Sequence, residues 1–213
     1  MIPTSKQALS RRQILAGGAI AGLSSAIGLS LLKPRSAMAS EDDVANDLGI
    51  LNTALYYEHQ AIWAYGFAAP QLSQTEVGQA VLALALRNQA DHMEHRDLLA
   101  SVITSLGGMP VMAEESYDVS AYLEAGEGNL DSDVNIAKLA LALEVDAAIA
   151  YGNEAAQFKT PALVTAGVSI AATESAHATA IRAAFISLGV DIYHVPAAFI
   201  NGDTRSEWVL MVE

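Results

Sequence analysis

Glu58-His59-Gln60-Ala61-Ile62-Trp63-Ala64-Tyr65-Gly66 and Glu144-Val145-Asp146-Ala147-Ala148-Ile149-Ala150-Tyr151-Gly152 align without a gap at Glu, Ala, Ala, Tyr and Gly. A second pair of segments follows in the same order. His95 stands 11 residues before Leu106 and His177 stands 11 before Leu188, and in both cases a glycine comes next, Gly107 and Gly189. One such match is ordinary in an alanine-rich chain. Two in the same order mark a repeated supersecondary unit.

Helix signals bracket each copy. A first helix is expected from about Asp42 to Ala69, stopped by Pro70. A second opens at Ser73-Gln74-Thr75-Glu76, a capping-box pattern, and ends at Gly107-Gly108. Residues 109–131 read as irregular and acidic. A third helix runs from about Ser132 to Gln157. Thr160-Pro161 reads as the N-cap and first position of a fourth, which ends at Gly189. The fold class that follows is all-α, an antiparallel four-helix bundle made of a duplicated helical hairpin. The stretch 109–131 is the one long crossover, and such a bundle has the ferritin-like topology. The bundle would occupy residues 40–189, with 190–213 as a C-terminal tail.

Apolar residues recur along each helix at spacings of three or four. The first seam is Leu51, Leu55, Glu58, Ile62, Tyr65, and the second includes Leu84, Asn88, His92, His95, Leu99 and Val102. The third is Ala137, Leu141, Glu144, Ala148, Tyr151, Ala155, and the fourth includes Ile170, Glu174, His177 and Ile181. Glu58, His92, His95, Glu144, Glu174 and His177 thus stand where leucines belong, near mid-helix each time. An unpaired carboxylate in a core costs several kcal/mol. A divalent cation explains all six at once, since it neutralises the acids and takes the imidazoles as ligands. Without one, the three carboxylates are expected to raise one another's pKa. Glu174-Ser175-Ala176-His177 puts both ligand types on one helical face, as in dinuclear iron and manganese bundles. Carboxylate and imidazole donors suit iron, manganese or zinc. Tyr65 and Tyr151, two turns beyond Glu58 and Glu144 on the same face, read first as packing residues and second as tyrosines that support the ligands or relay a radical. His59 falls on another face and reads as solvated or partner-facing.

Composition narrows the chemistry. There is no cysteine, so disulfides, thiolate metal sites and iron–sulfur centres are excluded. Of the 11 lysines and arginines, Lys6, Arg11, Arg12, Lys33 and Arg35 precede Ser40, and all 24 acids follow it. That acidic remainder repels nucleic acid and anionic membrane. No nucleotide-binding glycine loop is present either.

The N-terminus reads as an address. Ser10-Arg11-Arg12-Gln13-Ile14-Leu15 resembles the twin-arginine export motif. An apolar run from Ile14 to Leu32, then Lys33-Pro34-Arg35 and a small-x-small cleavage site at Ala37-Met38-Ala39, complete a leader over residues 1–39. The membrane enters only through this leader, the export machinery is an expected partner, and the mature chain is expected to be periplasmic or extracellular.

These residues identify a resemblance to the ferritin-like superfamily, which contains ferritins, bacterioferritins and rubrerythrins, and within it to small exported proteins with twin-arginine leaders. His95-Arg96-Asp97-Leu98-Leu99, running on to Leu106-Gly107-Gly108-Met109-Pro110-Val111, is similar to rubrerythrin-type helices. The resemblance implies one glutamate on the first and third helices and Glu-x-x-His on the second and fourth. Glu58, Glu144, Glu174, His177 and His95 match. His92 stands where the family has a metal-bridging glutamate, and Asp91 and Glu94 each point about 100° or more away from it. Three arrangements follow: a dinuclear site bridged by Glu174 alone, a single-metal site, or a degenerate one. Three functions follow with them. The first is iron or manganese redox chemistry with dioxygen or peroxide. The second is metal storage or binding without turnover, and the third is a metal-free structural or stress protein of the envelope. Homo-oligomers occur in this superfamily and are compatible with each.

Overall fold

The backbone hydrogen bonds of residues 40–212, the part of the chain described by the computed structural model, are made almost entirely within helices. The expected leader, residues 1–39, lies outside the described residues. Among the described residues there is no strand. No helix among them is long and apolar enough to cross a membrane.

The helices are α1 (Glu41–Ala68), α2 (Glu76–Ser105), α3 (Ser120–Glu124), α4 (Asp133–Ala155), α5 (Pro161–Ser187) and α6 (Arg205–Trp208). Ser40 and Asp43 form a capping box at the start of α1, where Glu41, Asp42 and Asp43 also favour the positive end of the helix dipole. Pro70 ends α1 in a single 3-10 turn. α2 starts two residues later than the capping-box pattern implies. Ser73 is drawn to the first residue of α4, donating from its amide (2.8 Å) and hydroxyl (2.6 Å) to Asp133, and Thr75 caps α2 instead by accepting from the Gly78 amide. Thr160 precedes α5 as expected but its side chain makes no cap. Asp47, fully buried on α1, instead holds the chain entering α5, accepting from the backbone amides of Lys159 (2.8 Å) and Thr160 (3.0 Å).

Both glycines flagged by the repeat terminate helices in the same way. Gly107 and Gly189 have φ of 82° and 89°, the left-handed conformation that costs glycine little. Around each, two backbone amides fold back on the last turn, Gly107 to Thr104 and Gly108 to Ile103, then Gly189 to Ile186 and Val190 to Phe185.

α1 packs along α2 and α4 along α5. Contacts across the bundle run antiparallel. Residue 65 meets 88 and 58 meets 92, while 155 meets 167 and 144 meets 177. The stretch 109–131, expected to be irregular, contains α3 and lies over α1. There the Val111 amide donates to Asn52, and buried Tyr117 packs on Tyr56 and Trp63. His59, half-buried, contacts this crossover, its Nε2 lying 3.3 Å from the Val111 carbonyl. The tail is built into the fold. Trp208 and Val209 join Leu141, Val145, Ile181 and Phe185 in one apolar cluster, and Arg205 bridges Glu127 and Asp146. Lys138 donates to the Met211 carbonyl at 2.8 Å.

Candidate metal centre

Glu58, His92, Glu144, Glu174 and His177 are buried, and His95 is nearly so. Glu174 is 0 % exposed, and Glu58, His92 and Glu144 are each 2 % exposed. The seam phase that places them there is the one read from the spacing. It brings all six to one interior region, in two groups of four that could each hold a metal ion. One group is Glu58, His92, His95 and Glu174; the other is His92, Glu144, Glu174 and His177. In each, one ligand atom per residue lies within 4.8 Å of all the others. His92 and Glu174 belong to both.

His92 lies between the groups and presents a different ring nitrogen to each. Its Nδ1 is 2.8 Å from Glu58 Oε2; its Nε2 is 3.4 Å from Glu144 Oε1 and 3.8 Å from Glu174 Oε2. His177 Nδ1 is 3.1 Å from both Glu144 Oε2 and Glu174 Oε2. His95 Nδ1 is 3.0 Å from Glu174 Oε1 and 3.5 Å from Glu58 Oε1. The His95–Glu174 approach is close but not in hydrogen-bond geometry, and His95 Nδ1 and Glu174 Oε1 are buried without a hydrogen-bond partner. An orphaned nitrogen and an orphaned carboxylate oxygen side by side, each costly to bury alone, are what a shared cation would satisfy. The donor set therefore fits iron, manganese or zinc.

Outer residues orient these donors. The Tyr65 hydroxyl donates to Glu144 Oε1, which also accepts from Asn88 Nδ2 at 3.2 Å. The Tyr151 hydroxyl donates to Glu58 Oε1. Each tyrosine thus reaches across to the other copy's glutamate, so these residues do more than pack. Asp91 accepts from His177 Nε2 at 3.1 Å and pairs with Arg87 one turn earlier. A carboxylate on the outer nitrogen of a ligand histidine fixes its tautomer and raises its basicity. Asp91 does point away from His92; it reaches the neighbouring helix instead. Nothing in the spacing along α2 could reveal that, because it depends on how α2 is rotated against α5. Glu94 is exposed and takes no part.

The charge balance differs from the expected repulsion among three carboxylates. Burial pushes Glu58 up, but hydrogen bonds from His92 and His95 outweigh it and hold its carboxyl at about 2. Burial likewise opposes ionisation of Glu144, yet His92 and His177 bring it well below the ordinary range. Only Glu174 is raised, chiefly by burial. The histidines move the other way. Burial lowers His95 and His177, but the facing carboxylates of Glu174, Glu58 and Glu144 lift them to about 9 and about 10. His92 is lifted well above its usual value, against burial, by Glu144, Glu58 and Glu174. The three imidazoles thus favour their protonated form, and Glu58 and Glu144 their ionised form, without a metal.

This arrangement can be set beside known proteins. No curated protein matches the chain. A crystal structure of a conserved hypothetical protein, rv2844, from Mycobacterium tuberculosis has a similar fold, with a TM-score of 0.55 and 20% sequence identity, covering 65% of this chain and 96% of that one. The model of the ferritin-like domain matches residues 46–187, which takes in all six clustered side chains and both helix pairs. By that match the chain belongs to the ferritin-like domain family.

Proposed function

We propose that this protein binds two divalent ions of iron or manganese in adjoining positions and uses them for redox chemistry with dioxygen or peroxide. The observation that carries the reading is the pair of overlapping four-residue groups, with the orphaned His95 Nδ1 and Glu174 Oε1 side by side in the first. Glu58 and His95 would serve one ion, Glu144 and His177 the other. Glu174, with one oxygen toward His95 and the other toward His177, would serve both, and His92, with one lone pair when neutral, would serve one. Bound iron or manganese would supply one-electron chemistry that no side chain here can. The residues around them do the rest. Tyr151 and Tyr65 hold Glu58 and Glu144 through one oxygen each, and the other oxygen faces His92 and His177 respectively. Asp91 keeps a proton on His177 Nε2, so that Nδ1 faces the centre as a donor.

A second reading has its own support. The cluster is almost completely hydrogen-bonded and charge-balanced as it stands, as a metal-free ferritin-like scaffold would be. Thermal melting of chelator-treated protein with metal added back separates the two. At about 100-fold excess over the dissociation constant, binding adds roughly 2.7 kcal/mol, which should raise the melting temperature by about 5–10 °C for a domain of this size. Iron(II), manganese(II) and zinc(II) should each do so, while magnesium, which disfavours imidazole, should not. A melt indifferent to all four supports the scaffold.

The leader makes this an exported centre, carried by the twin-arginine route to the periplasm or beyond. Replacing Arg11 and Arg12 with lysine should leave the precursor in the cytoplasm, and normal export of that variant would refute the route.

A further inference from the structure

The helices that carry Glu58 and Glu144 do not close on each other. α1 and α4 touch far less than the pairs α1–α2 and α4–α5. Between them lies a cavity of about 380 Å³. Its side walls are small residues on facing stripes, among them Ala61, Ala64 and Ala68 on α1 and Ala140, Ala147 and Ala150 on α4. Helices faced with alanine ordinarily approach closely, because axial separation follows side-chain size. Here Tyr65 and Tyr151 reach across the gap to the opposite glutamates and act as struts. A leucine at any of these alanines would fill space that the fold leaves open, and unfilled apolar volume forgoes packing that stabilises other seams.

The floor of the cavity is the metal centre, since Glu58, His92 and Glu144 line it. Its volume falls in the range of about 300–1,000 Å³ typical of small-molecule sites. Its shape is elongated. The lining runs from Thr53 to Leu72 along α1 and from Ile136 to Glu154 along α4, which at 1.5 Å per residue is a slot roughly 27 Å long. Among the described residues, no lysine or arginine lines it, whereas Glu58, Glu144, Asp146 and Glu154 do. A carboxylate or phosphate brought into such walls would find no lysine or arginine to pair with, and burying it unpaired is costly.

We propose that the slot between α1 and α4 binds one aliphatic chain with an uncharged polar head, laid past Glu58 and Glu144. Its length suits an extended chain of methylenes better than a compact ring system, and its walls select against an anionic head. The chain's mid-section would lie against the centre. That it is the molecule the centre acts on rests on the function proposed above; that it binds does not.

The test uses chelator-treated full-length chain and two probes of equal length, decan-1-ol and decanoate, with binding followed by calorimetry at neutral pH. Decan-1-ol should bind, and decanoate should bind at least about ten-fold more weakly. Ala64→Leu and Ala147→Leu fill the middle of the slot, which a chain laid past both carboxylates must cross. As cavity-filling changes to a good helix former they should fold at least as stably as the parent. Each should weaken decan-1-ol about ten-fold or more while leaving manganese binding unchanged. No binding of decan-1-ol, equal binding of decanoate, or binding indifferent to both variants would overturn the proposal. So would a parent that sediments as a dimer through this face and is dispersed by decan-1-ol, because a second copy would then be the occupant. Loss of manganese binding by the parent, with decan-1-ol still bound, would overturn the proposed function and leave the slot assignment standing.

Discussion

Three glutamates and three histidines could have made a repulsive, half-ionised core. Instead acids and imidazoles alternate, so the site stores protons where a metal-bound centre would hold cations. The consequence is a specific pH profile for the metal-free protein. Histidines lifted from 6.5 to about 9 and about 10 stabilise the fold fully below about pH 6.5, and that contribution is lost as pH rises through 9 and 10. Glu58, depressed from 4.5 to about 2, contributes above about pH 4.5 and loses that contribution as pH falls through 2. Chelator-treated protein should therefore be most stable between about pH 4.5 and 6.5 and melt progressively lower above pH 8. A melting temperature that climbs from pH 7 to 10 would contradict the charge assignment. Adding manganese should flatten the alkaline fall, since the ion replaces the departing protons. The six core positions were legible because an acid or imidazole in a leucine seam needs no tertiary information to be conspicuous. Asp91, Asn88 and the tyrosine struts were not, because each acts across a helix boundary, and spacing along one helix is silent about its rotation against the next.

At the scale of elements, the repeat was legible as far as local signals reach. Gly107 and Gly189 end helices with matching backbone turns, as one motif copied twice should. The starts were less legible because partners distant in sequence decide them. Ser73 has the right neighbours for a capping box, but Asp133 outcompetes the local arrangement. Asp47 anchors the entry to α5 from more than 100 residues away in sequence, and nothing near Pro161 announces it. Replacing Asp47 with alanine removes the acceptor for two backbone amides at once. It should cost about 1–3 kcal/mol in urea unfolding, and Asp47→Asn, which keeps one carbonyl oxygen, should cost less. Unchanged stability in Asp47→Ala would mean that water serves the α5 terminus as well as the carboxylate does.

For the whole molecule, the division into bundle and tail dissolves. Residues past Gly189 supply Trp208 and Val209 to the core, and Arg205 pairs Glu127 of the crossover with Asp146 of α4. Pro196 and Gly202 interrupt helical periodicity there, so the segment reads as a tail although Trp208 and Val209 are buried in the bundle. The acidic surface, the buried donor cluster and the alanine slot then describe one object, a helical bundle organised around the point where its two halves exchange tyrosines. What that point holds decides among the functions. Equilibrium dialysis of the stripped chain against manganese(II), with bound metal counted by elemental analysis, asks the question directly. Two ions per chain are expected for the parent, with Glu174→Ala reduced to one or none because it removes the carboxylate offered to both positions. A parent chain that retains no manganese, and no iron(II) or zinc(II) under the same conditions, would contradict the metal centre.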